Sequence, residues 1–106
     1  GRFEVTIDWT TSQGASGAGQ AVALTDESGY FWFFDDELVE VTAKIMDGSA
    51  VNGHFWLFLA SMTDVEVVVT VSRFTGSYCL DTQTCPTRVY TLAPGQVMGV
   101  VDLEVF

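Results

Sequence analysis

The sequence predicts an all-β protein, an antiparallel two-sheet β-sandwich of immunoglobulin-like type with about eight strands. Three observations predict it. Apolar residues recur with period two along most of the chain, while the i, i+3, i+4 spacing of an amphipathic helix is almost absent. The alternating segments are separated by turn signals about every dozen residues, which suits hairpins rather than the long crossovers of βαβ units. The length, 106 residues, and the 48% apolar fraction suit one compact domain spanning residues 1–106 with a sizeable core.

Each element follows from its pattern. Phe3, Val5, Ile7 and Trp9 fall on one face of a first strand, with Arg2, Glu4, Thr6 and Asp8 on the other. Residues 10–19 are polar, contain Gly14, Gly17 and Gly19 and show no period, so a long loop is expected. A short strand over residues 20–25 ends in the turn Asp26-Glu27-Ser28-Gly29, and residues 30–34 form an unbroken aromatic run. The acidic corner Asp35-Asp36-Glu37 is the place for a single helical turn, if one exists, over residues 35–38. In residues 38–46, Val39, Val41, Ala43 and Ile45 face one way; Asp47-Gly48 then opens a turn that closes with Asn52-Gly53. Strands are expected over residues 54–62 and over 65–74, the latter the longest and most β-branched. Residues 87–92 form the next, and Ala93-Pro94-Gly95 turns the chain into a last one at 97–106. There Val101, Leu103 and Val105 face one way and Asp102, Glu104 and Phe106 the other.

Charge narrows the function. Four Lys and Arg stand against 14 Asp and Glu, a formal net charge of -10. Nucleic acid is excluded, because its binders use basic patches to displace counterions from phosphates. Anionic membrane surfaces are disfavoured for the same reason. No apolar run approaches the roughly 20 residues of a spanning helix, so membrane insertion is not expected. The apolar and aromatic content is too high for a disordered acidic tail. The chain opens at Gly1 with neither an initiator Met nor a basic and apolar leader, as a mature protein or excised module would.

Cys79 and Cys85 flank Leu80-Asp81-Thr82-Gln83-Thr84. Two cysteines and one histidine fall short of the four or so ligands of structural zinc. The spacing suits a disulfide across the neck of a hairpin loop, and hence an oxidising compartment; two free buried thiols are the alternative. Few lysines and a negative surface also fit a secreted bacterial protein.

The segments Leu24-Thr25-Asp26-Glu27-Ser28-Gly29-Tyr30-Phe31-Trp32-Phe33-Phe34-Asp35, Asp47-Gly48 and Val51-Asn52-Gly53-His54-Phe55-Trp56, with Leu59 and Thr63-Asp64-Val65-Glu66, resemble a family of small secreted bacterial domains. These β-sandwich modules are often C-terminal in larger extracellular proteins. The resemblance covers most of residues 3–71 and implies an extracellular accessory domain, with no catalytic residues to carry over. The chain departs from the family at Ser49, where a cysteine is common after Asp-Gly, and in the Cys79 to Cys85 loop.

Two aromatic strands carry the functional expectation. A sandwich strand needs one apolar face, yet residues 30–34 and 54–59 are apolar on both. With Phe55, Leu57 and Leu59 inward, Trp56 and Phe58 point outward beside Tyr30, Trp32 and Phe34, an aromatic face for a partner. The partner would be the chain itself, in a homo-oligomer or filament at the cell surface, or an extracellular protein. A polysaccharide is the alternative, stacked on the rings of a carbohydrate-binding module. The carboxylates at Asp26, Glu27, Asp35, Asp36 and Glu37 are candidates for calcium if the loops converge, and a solvated acidic rim if they do not. A third reading is a protease inhibitor presenting the Cys79-Cys85 loop with Leu80 as its specificity residue. The lone His54 lies beside no nucleophile motif and is expected to serve the turn before it, so no enzyme is expected.

Overall fold

The computed structural model describes residues 2–74, 86–94 and 96–106. The chain runs β1 (Arg2–Thr10), β2 (Ser16–Ala18), β3 (Gln20–Ala23), β4 (Ser28–Trp32), β5 (Val41–Gly48), α1 (Ser49–Asn52), β6 (His54–Thr63), β7 (Glu66–Phe74), β8 (Thr87–Leu92) and β9 (Gln96–Asp102). These strands form two antiparallel sheets, ordered β2-β1-β7-β8 and β3-β4-β5-β6-β9. The expected sandwich is therefore the fold. Its core follows the period-two pattern directly: Ile7, Val67, Val69, Val71 and Leu92 from the first sheet meet Phe31, Val41, Ala43, Leu57 and Leu59 from the second. Truncating a fully buried member such as Leu57 costs about 2–5 kcal/mol, so these positions specify which face of each strand turns inward.

Among the described residues nine strands form where about eight were expected, because part of the expected loop at residues 10–19 pairs. Ser16–Ala18 lies against Asp8–Thr10 through backbone bonds alone, with no side-chain alternation to announce it. The edge chain then leaves one sheet for the other at Gly19, whose N–H donates to the Ile7 carbonyl at 2.8 Å, and continues as β3 beside β4. Sheet switching has a consequence for β1: only its C-terminal half is covered on that side.

Three further expectations change. Residues 35–38 form a hydrogen-bonded turn, with Leu38 N–H donating to Asp35 O at 3.0 Å, but not the helical turn. The one helical turn among the described residues is α1, which lies within the turn expected from Asp47-Gly48 to Asn52-Gly53 and is closed by Gly53 in the left-handed region. The last strand stops at Asp102, whose Oδ1 accepts Glu104 N–H at 3.0 Å, so the alternation breaks there. Val101 and Leu103 are exposed, whereas Val105 enters the core and bonds the Phe55 backbone. The expected disulfide between Cys79 and Cys85 lies outside the described residues, as does Leu80.

Many rings close the ends of the sandwich. Phe3 packs on Phe55 and Phe106, with the guanidinium of Arg73 over Phe55 at 4.9 Å and that of Arg88 over Phe106 at 5.3 Å. At the opposite end of β1, Trp9 stacks on Phe33 and meets Phe34 edge-on. Along one lateral side the sheets are tied by the Tyr90 hydroxyl donating to Asp102 Oδ2 at 2.7 Å. Burial, and then the Asp102 carboxylate, push the Tyr90 hydroxyl well above its ordinary pKa, so it stays protonated and donating. Tyr90→Phe is expected to destabilise by roughly 1.5–3 kcal/mol, since it takes the donor from Oδ2 of a partly buried carboxylate. Urea titration at neutral pH checks this; an unchanged midpoint would show that the bond contributes nothing.

Candidate docking face

The outer face of the five-stranded sheet is set by register. One row across it runs Val22, Tyr30, Thr42, Ala60 and Gly99, and the next runs Ser28, Lys44, Phe58 and Val101. Met46 and Trp56 form a third row, while Trp32 pairs with Gln20. Leu24, Met62 and Val101 are 62%, 54% and 66% exposed, and Tyr30, Trp32, Met46, Trp56 and Phe58 are half-buried. The small side chains of Thr42 and Ala60 leave a shallow depression of about 290 Å³ walled by Leu24, Phe58 and Val101. Lys44, the only lysine of the chain, is exposed within this face.

The other sheet presents a different surface. Its outward positions include Glu4, Thr6 and Asp8 on β1, Glu66 and Thr70 on β7, and Thr87 and Thr91 on β8. That is the polar side expected of an antiparallel sheet with one face in water. Val68 and the 61% exposed Val89 are its apolar exceptions, whereas the five-stranded sheet carries rings on its outer face as well as its inner one.

Of the five aromatic residues expected on the face, Tyr30, Trp32, Trp56 and Phe58 lie there. Phe34 does not: β4 ends at Trp32, the alternation stops, and the exposed Phe34 ring packs 4.8 Å from Trp9 at the end of the sandwich. Sequence reasoning missed Val22, Leu24, Met46 and Met62. They carry no aromatic signal, and only strand order brings them beside the rings.

Trp56 is held in place from below. Its indole N–H donates to Asn52 Oδ1 at 3.0 Å, and the same oxygen accepts the His54 backbone N–H at 3.1 Å. The Asn52 amide also donates to Leu103 O at 2.8 Å, tying α1 to the chain after β9. His54 thus serves the turn, through its backbone. Beside it, the Ser49 hydroxyl and the Ser49 N–H, 2.9 Å from Asp47 Oδ1, hold the Asp47 carboxyl below its ordinary pKa. Its stabilising effect is in place above the usual carboxylate range and is lost as pH falls through the lowered value. Asp47→Asn is therefore expected to melt below wild type at about pH 6 and to converge with it at about pH 2. Thermal melts at the two pH values check the sign.

The acidic residues do not converge. Asp26 and Glu27 precede β4, whereas Asp35, Asp36 and Glu37 follow it, so a strand roughly 17 Å long separates the groups. Asp35 is occupied locally, accepting the Glu37 N–H at 2.9 Å. Among the described residues no three His, Cys, Asp or Glu side chains are placed to share an ion, and the expected five-residue calcium set is not assembled. No helix among the described residues is long and apolar enough to cross a membrane. No protein-family model, curated protein or solved structure matches the chain.

Proposed function

We propose that the chain is a non-enzymatic extracellular module, structural or binding in role, that docks through the outer face of its five-stranded sheet, a second copy being its first partner. The observation that carries this reading is the inequality of the two outer faces. One bears mainly Thr and acidic residues, with Val89 the exposed apolar exception, and the other bears rings, Leu24, Met62 and Val101 around one lysine. Net charge would drive copies apart, but the acids lie mainly off this face, where salt screens them. Work outside the cell, at a bacterial surface, is supported by the resemblance in residues 3–71 and by the spacing of Cys79 and Cys85.

Light scattering across a concentration series tests the proposal. Molecular mass is expected to rise with protein concentration and with added salt, and to be indifferent to EDTA. A monomer at every concentration up to about 1 mM overturns self-docking, that being an affinity of only about -4 kcal/mol. The sugar-platform alternative is less well served: Trp32 lies in the row of Met62, six residues along β6 from Trp56. The two indoles are thus roughly 20 Å apart, too far to stack on adjoining sugars.

A further inference from the structure

The sandwich has an open seam, separate from the docking face. Ile7 O and Thr11 N–H both bond towards the β2 side, which places the backbone groups of the odd residues of β1 on that edge. β2 covers the edge only over Asp8–Thr10, and Gly19 reaches no further than Ile7. Among the described residues no strand pairs with Phe3 and Val5 on this side. Across the gap, β3 is the edge of the opposite sheet. Between the two edges runs a groove of about 400 Å³, floored by Val5, Ala21, Ala23, Phe31, Ala43 and Ile45.

An unpaired edge backed by an apolar groove is what strand addition needs: ladder bonds supply affinity and the groove takes alternate side chains. The chemistry of the other alternate positions is set by charge. The turn carrying Asp26 and Glu27 lines the groove, and Glu4 points outward from β1 between Phe3 and Val5. Outward residues of an added strand would lie beside Glu4, where opposite charges in cross-strand positions stabilise pairing, and the net charge of -10 draws in a basic partner. We propose that this seam binds an extended segment of another polypeptide in which small apolar residues alternate with Lys or Arg, added beside β1 in line with β2. A second copy is not the occupant. The four basic residues of the chain stand at positions 2, 44, 73 and 88, so no segment of it has that pattern.

The test uses an acetylated synthetic peptide of about nine residues with Val and Lys alternating, the length of a long strand. Hydrogen exchange at the Phe3 and Val5 amides is expected to slow when it binds, and binding is expected to weaken as salt rises. Glu4→Lys, at an exposed position, is expected to reduce affinity about tenfold and to favour the corresponding Val/Glu peptide. Binding that leaves the Phe3 and Val5 amides unprotected, binding unaffected by the charge reversal, or no binding overturns the proposal. Val101→Glu, on the docking face, is expected to leave peptide binding unchanged, so failure of one site is separable from failure of the other.

Discussion

Gly48→Ala is expected to lower the Tm by roughly 10–15 °C. Gly48 is the buried last residue of β5, directly opposite His54. A Cβ there would overlap the Trp56 indole at Nε1 and Cε2, and Cδ1 would lie 2.7 Å away. The ring cannot stay where it is. Moving it strains the packing, at about 1–3 kcal/mol, and breaks the bond to Asn52 Oδ1, at about 1 kcal/mol. A net loss of roughly 2–3 kcal/mol corresponds to that Tm shift in a domain of this size. Asn52→Ala breaks the same contact, so the double variant should fall short of the sum of the two. Thermal melts of the three variants decide it. A Gly48→Ala protein melting within a few degrees of wild type would mean that the indole has room to retreat.

Met62→Glu combined with Val101→Glu is expected to abolish self-docking while leaving the fold intact. Both positions are more than half exposed, so the folding cost should stay within about 0.5 kcal/mol per site. In a docked face the new carboxylates would lose water beside Phe58 and find no base nearer than the single Lys44. An unpaired charge buried at an interface costs several kcal/mol, enough to weaken association by roughly a hundredfold or more. The matched control is Val89→Glu with Thr91→Glu, which makes the same charge change on exposed positions of the other sheet. That pair should associate as wild type does, apart from a slightly steeper salt dependence. Equal loss in both pairs would point to net charge rather than to the apolar face.

Legibility followed the source of each feature. The alternation of Phe3, Val5, Ile7 and Trp9, and of the valines of β7, reads directly, because a strand puts neighbours on opposite faces. The surplus of rings in residues 54–58 read correctly for the same reason, and Trp56 and Phe58 lie outward. β2 was not legible, since Ser16–Ala18 is held by backbone bonds and shows no apolar alternation, and the need for Gly17, where a Cβ would lie 2.7 Å from Trp9 Cζ2, follows from the pairing itself. Phe34 and Val105 were misplaced because each follows a strand end, where the period that predicted its direction no longer applies. Asn52 was read as half of a turn dipeptide; its role under Trp56 depends on a helical turn of four residues.

The sequence by itself determined the sandwich, the inward sets of β1, β5 and β6, and the excess of apolar side chains in β4 and β6, all properties of neighbours along one chain. Strand order decided the rest. It placed Val22, Tyr30, Phe58 and Val101 on one surface, sent Asp26 and Asp35 to opposite ends of β4, and left half of β1 bare where the edge chain changes sheets. A surface and a seam are relations between strands far apart in sequence, and the backbone pairing that creates them is indifferent to most side chains.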